Sequence, residues 1–110
     1  MKMGLLARIS LCAMLAAVVN PVLAASDTDA NMITLKNFDF IPMKLAVPVG
    51  STVRWKNLDA EPHTVVSDQG LFRSGGLDQN DTFEFKFDRP GTYRFICSIH
   101  PTMMGTIVVK

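Results

Sequence analysis

From residue 31 onward the chain consists of short alternating runs separated by turn residues. Ser51 to Asn57 (STVRWKN) alternates cleanly, with Val53 and Trp55 on one side and Arg54 and Lys56 on the other. Thr82 to Phe87 repeats the pattern: Phe83, Phe85 and Phe87 face one way, Glu84 and Lys86 the other. Thr92 to Cys97 puts Tyr93, Phe95 and Cys97 on one face. A period of two sends successive side chains to opposite faces of a sheet, so these runs predict strands half buried against a core. Met32 to Phe40, Pro42 to Val47, His63 to Ser67 and Gly105 to Lys110 complete the set of expected strands. Pro48-Val49-Gly50 and Arg89-Pro90-Gly91 read as turns, with proline and glycine where turn geometry wants them. Leu58 to Pro62 and Asp68 to Asp81 read as loops. Beyond the first 24 residues no run of ten or more shows a helical period. Short strands with frequent turn signals predict an all-β fold, an antiparallel Greek-key sandwich or barrel. Phe38, Phe40, Trp55, Phe83, Phe85, Tyr93 and Phe95 are expected in its core.

The amino terminus follows a different logic. Lys2 and Arg8 form a positive stretch, Ile9 to Val22 is mostly apolar, and Val22-Leu23-Ala24 offers small residues at the cleavage positions. This predicts a secretory signal peptide over 1–24, cut after Ala24. The apolar run is short of the ~20 residues a spanning helix needs and holds Asn20 and Pro21, so no stable membrane insertion is expected once it is cut. Residues 25–30 read as a flexible amino terminus and 31–110 as one folded domain, exported to the periplasm.

Cleavage changes the arithmetic of charge and sulfur. The whole chain of 110 residues carries 11 basic and 10 acidic residues, a formal +1. Lys2 and Arg8 leave with the leader, so the remainder is near neutral, and the absence of a basic stripe argues against nucleic acid as a partner. Cys12 leaves too, which strands Cys97 without an internal disulfide partner. A leftover cysteine in an exported protein points to a metal bond or an intermolecular link.

Cys97 opens the stretch CSIHPTMMG, with His100 three residues on and Met103 three beyond that. The only other histidine, His63, lies upstream at the head of an expected strand. A lone cysteine is ordinarily a small buried hydrophobe, and methionines are common in cores. Against that reading, one hypothesis uses every histidine and the one cysteine left after cleavage. A thiolate, two imidazoles and a weak thioether make the trigonal site with a long axial ligand that proteins use for electron-transfer copper. Copper(I) favours soft sulfur and copper(II) favours nitrogen, so an intermediate, rigid site changes little when the electron moves.

Two segments carry a family resemblance: VRWKNLDAEPHTV (Val53 to Val65) and GTYRFICSIHPTMMGTIVV (Gly91 to Val109), joined through FRSGGLDQNDTFEFKF. The chain resembles the small cupredoxins, or blue-copper proteins. Its ligand loop is similar to that of amicyanin, and the chain more broadly resembles plastocyanin and pseudoazurin. The resemblance spans about residues 31–110. It implies one copper ion held by His63, Cys97, His100 and Met103, with Met104 as the alternative axial ligand and otherwise a surface neighbour. It also implies a monomeric one-electron carrier, not an enzyme, that docks transient redox partners around an exposed His100 near Pro101, Thr102 and Met104. A copper chaperone or buffer on the same fold is the alternative function, and a metal-free sandwich that binds a protein partner is a third. A multicopper oxidase would need many more histidines, and a binuclear copper site a second cysteine.

Two positions depart from the family pattern. Thr64 stands where the family often has asparagine, and its hydroxyl is expected to reach the Ser98 region. Ile99 stands where proline is frequent, which restores a backbone N–H beside the thiolate. Tyr93, four residues before Cys97, resembles the tyrosine that pins a Greek-key corner. Asp59, Glu61 and Asp68 read as solvated loop residues, with a docking role as the alternative.

Overall fold

The computed structural model describes residues 31–110; the expected leader over 1–24 and the segment 25–30 lie outside the described residues. Eight strands run in chain order: β1 (Met32–Lys36), β2 (Asp39–Ile41), β3 (Lys44–Val47), β4 (Thr52–Asn57), β5 (Val66–Ser67), β6 (Thr82–Lys86), β7 (Gly91–Ile96) and β8 (Met104–Val109). They form two four-stranded sheets, ordered β2-β1-β4-β6 and β3-β8-β7-β5. The all-β sandwich expected from the alternation is thus observed. Each sheet contains one parallel pair among its antiparallel ones, β1 with β4 and β3 with β8.

The core lies between the sheets and follows the period of two. Ile33 and Leu35 from β1, Val53 and Trp55 from β4, Phe95 from β7, and Ile107 and Val109 from β8 are all buried. Trp55 packs against Phe72, Phe83 and Phe95, and Phe95 meets Phe40 edge-on. Burying a side chain of this size contributes about 1.5–3 kcal/mol, so this cluster is the main source of stability. Phe83, Phe85 and Tyr93 are partly buried and pack against the cluster. The Tyr93 hydroxyl donates to the Arg89 carbonyl at 2.8 Å, which ties the β6–β7 corner.

Three boundaries differ from the alternation. The expected strand Met32–Phe40 is broken by a two-residue turn at Asn37-Phe38, and both residues adopt a left-handed backbone. Phe38 is therefore not a core residue: it is 46% exposed at the tip of the β1–β2 hairpin. The expected strand His63–Ser67 shortens to Val66–Ser67, because His63 pairs instead with Leu77 in an isolated bridge. The run from Pro42 narrows to Lys44–Val47; here the chain leaves one sheet for the other, and proline has no N–H to continue a ladder. Phe72, inside the expected 68–81 loop, is a buried core member.

This topology gathers three connections at one end of the sandwich. β1 runs parallel to β4 with Leu35 opposite Asn57, so the β1–β2 turn emerges beside the β4–β5 loop. β5 runs antiparallel to β7 with Val66 opposite Ile96, which brings the end of that loop against the start of the β7–β8 loop.

Candidate metal centre

His63 arrives on the β4–β5 loop, whose backbone is stapled on both sides. His63 N–H donates to Leu77 O at 3.1 Å and Leu77 N–H donates to His63 O at 2.7 Å. Ser74 N–H donates to Val65 O, and Val65 N–H donates to Ser74 Oγ, both at 2.8 Å. Asn57 organises the loop from inside. Its Nδ2 donates to the carbonyls of Glu61 and Leu77, and its Oδ1 accepts the Asp59 N–H at 2.8 Å. Asn57 shares the inward parity of Val53 and Trp55, so a polar residue on an apolar face was the signal that could have marked it in the sequence.

Cys97 and His100 arrive on the β7–β8 loop. Cys97 N–H donates to Met103 O at 3.1 Å, and Met103 N–H donates to His100 O at 2.9 Å, which closes the loop on itself. Met103 is 1% exposed and belongs to the core cluster, whereas Met104 is 53% exposed.

The side chains of His63, Cys97 and His100 converge. The two Nδ1 atoms lie 3.2 Å apart, and Cys97 Sγ lies 3.8 Å from His63 Nδ1 and 3.9 Å from His100 Nδ1. Atoms bonded to one first-row ion at about 2.0–2.1 Å for nitrogen and about 2.3 Å for sulfur lie at most about 4.4 Å apart, so one ion fits among these three. His63 and Cys97 are fully buried and His100 is half-buried.

The surroundings fix which atoms face inward. His63 Nε2 sits 2.9 Å from Asp59 Oδ2, and this side-chain carboxylate is only 12% exposed. An ionised carboxylate only accepts, so the proton is on Nε2 and Nδ1 keeps its lone pair toward the cluster. Burial pushes the Asp59 carboxyl up, but the Phe38 amide, the His63 ring and the Asn37 amide outweigh it and hold it below the usual carboxylate range. Asp59 is therefore part of the site's framework, not the solvated loop residue expected from the sequence; Glu61 and Asp68 are exposed. A carboxylate four residues before a candidate ligand histidine was the available signal.

Around the sulfur, Thr64 N–H donates to Cys97 Sγ at 3.4 Å, and the Thr64 hydroxyl lies 3.8 Å from it. Ser98 N–H donates to Thr64 Oγ1 at 2.8 Å, and the two hydroxyls are 2.8 Å apart. The threonine thus ties the two loops together, as its hydroxyl was expected to do. Burial pushes the Cys97 thiol up; hydrogen bonds from the Thr64 N–H, the His100 ring and backbone, and the Ile99 N–H pull the other way and lower it to about 6. The cluster favours the thiolate, the form that binds metals.

A two-sheet sandwich with a buried thiolate and two imidazoles at one end defines a small metal-binding β protein. Comparison with known proteins makes the class specific. Residues 6–109 match the family model described as a cupredoxin-like domain. The chain is 32% identical to amicyanin-alpha of Methylorubrum extorquens, over 96% of this chain and 92% of that one. It is 27% identical to the amicyanin of Paracoccus versutus, over 82% of this chain and 73% of that one. Among solved structures, it resembles a purple cupredoxin from Nitrosopumilus maritimus with a TM-score of 0.67 and 33% identity, covering 72% of this chain and 98% of the other. It also resembles an oxidized mutant of amicyanin, with a TM-score of 0.71 and 28% identity over 74% of this chain and 83% of the other. The chain belongs to the cupredoxin family.

Proposed function

We propose that this cupredoxin is an exported one-electron shuttle whose single copper ion is held by His63, Cys97, His100 and Met103. Cupredoxins hold one copper ion, and the amicyanin and plastocyanin relatives are electron carriers. The observation that carries the reading is the convergence of Cys97 Sγ and two imidazole Nδ1 atoms within 3.2–3.9 Å of one another. Soft sulfur with two imidazoles suits both copper oxidation states, and bound copper supplies the Cu(II)/Cu(I) couple. Burial favours Met103 over the exposed Met104 as the axial thioether.

The protein's part is to hold these donors still. Asp59 holds the His63 ring, Thr64 grips the sulfur and the Ser98 amide, and backbone bonds close the loop through Met103. A site that moves little on electron transfer needs little reorganisation. The half-buried His100 offers the route out. Exposed Ile99, next to it in the chain, and Phe38, whose ring meets it edge-on, make a small apolar surface suited to brief docking, where little area is buried. The domain plan in this reading is a leader over 1–24, a connector over 25–30 and the copper domain over 31–110, working in the periplasm. A copper chaperone, the alternative, is less favoured because three candidate ligands are buried and tied to framework residues.

Adding Cu(II) to the metal-free protein tests the reading by visible absorption. An intense thiolate-to-copper band is expected, lost in Cys97→Ser and retained with altered position in Met103→Leu. A wild type without the band, or a Cys97→Ser variant that keeps it, sinks the assignment.

A further inference from the structure

We propose that Phe38 is a positioning residue that caps the two histidines, shielding the cluster from small solutes at the expense of an unfavourable turn. Four observations support the proposal. First, the ring meets His63 edge-on at a centroid distance of 5.3 Å and His100 at 5.0 Å, so one side chain spans both candidate ligands. Second, its place is not dictated by core packing: Phe40, two residues on, is 1% exposed and packs against Phe95, whereas Phe38 is 46% exposed.

Third, the backbone is wrong for phenylalanine. Asn37 and Phe38 have φ of 55° and 61°. A two-residue hairpin turn with both central residues left-handed strongly prefers Asn-Gly, and a bulky side chain at positive φ is an outlier. This chain uses glycine at other left-handed positions, including Gly50 and Gly70. Residues held against backbone preference concentrate at functional sites.

Fourth, the turn is tied to the site. Asn37 N–H donates to Asp59 Oδ1 at 2.7 Å and Phe38 N–H donates to Asp59 Oδ2 at 3.0 Å. Oδ2 is the same atom that faces His63 Nε2. One carboxylate therefore fixes the strained turn and the ring it covers, so cap and histidine hold a common position.

That the cluster holds copper rests on the proposed function, whereas the shielding does not, and the test separates the two. In metal-free protein, Cys97 is fully buried with its sulfur 3.8 and 3.9 Å from the two Nδ1 atoms, so it reports access to the cluster. Phe38→Gly suits the turn and removes the cap. We expect iodoacetamide to alkylate Cys97 about ten-fold faster in Phe38→Gly than in wild type, as for a locally opened site. The melting temperature of that variant should be equal or higher, since glycine relieves the left-handed backbone. Phe38→Leu, which keeps an apolar cap, should restore most of the protection. With copper bound, EDTA should remove the ion faster from Phe38→Gly than from wild type. Equal alkylation rates overturn the proposal. So does a melting temperature that falls as alkylation rises, because general loosening would then explain both. A wild type that takes up no copper would sink the copper assignment, while alkylation would still decide the cap.

Discussion

At the scale of single residues, the site is governed by what surrounds the ligand atoms. The Thr64 N–H and hydroxyl contact the Cys97 sulfur and favour negative charge on it, and the Ile99 N–H adds a smaller pull in the same direction. A donor on the sulfur draws charge away and favours the reduced metal, in which the thiolate is more electron-rich. Ile99→Pro removes one N–H and leaves the proposed copper ligands in place. A net hydrogen bond contributes about 0.5–1.5 kcal/mol, which at 59 mV per tenfold corresponds to a fall of roughly 20–60 mV in reduction potential. Cyclic voltammetry would measure it, and an unchanged or raised potential would remove Ile99 from the tuning of the site. The spacing of CSIHPTMMG exposed these residues to inspection, because the loop's own chemistry is local. Asp59 was not legible in that way. Its two amide partners lie 21 and 22 residues away, on a turn that the alternation did not predict.

At the scale of the strands, close packing decides what each position tolerates. Gly105 on β8 faces Phe95 on β7, and a Cβ there would lie 2.5 Å from the Phe95 ring. That ring is held by Trp55 and Phe40 and has little freedom to turn aside. Gly105→Ala should therefore overpack the core by about 1–3 kcal/mol, seen as a lower denaturant midpoint with unchanged slope. Wild-type stability in this variant would mean that β8 can shift outward. The strands themselves were legible where one face is buried: β4 alternates cleanly in both sequence and burial, whereas β8 alternates in burial although its sequence ends in three apolar residues. The alternation misled where apolar residues continued past a turn. Phe38 and Phe40 share a parity in the sequence, yet the left-handed pair at Asn37-Phe38 reverses the chain between β1 and Phe40.

At the scale of the molecule, the site is built onto one end of the core. Cys97 and Met103 belong to the core cluster, while the loops that carry His63 and His100 are held by Asn57, Asp59 and Thr64 through protein hydrogen bonds. Removing copper with a chelator should leave the fold in place and lower the melting temperature, since an ion that binds only the folded state stabilises it by mass action. Trp55 is the reporter. It is fully buried among Phe72, Phe83 and Phe95, and its Nε1 has no hydrogen-bond partner among the described residues. Its emission should be blue-shifted and poorly quenched by iodide with and without copper. A red, quenchable emission after chelation would mean that the metal holds the sheets together.

The amino-acid order alone predicted an all-β sandwich or barrel, most of the strands, and Cys97 and His100 as a candidate pair on one short loop, with His63 joined to them because no other histidine is present. The strands follow from a period of two and the loop from the chemistry of near neighbours, both of which a linear sequence records directly. Only the tertiary structure decided that β1 lies parallel to β4, and that decision carries the Asn37-Phe38 turn to the end where His63 waits. It turned Asp59 from a loop acid into the carboxylate that orients the histidine, and Phe38 from expected core into a cover over two imidazoles. Such contacts depend on which strand ends the topology brings together, and no local pattern of apolar and polar residues encodes that.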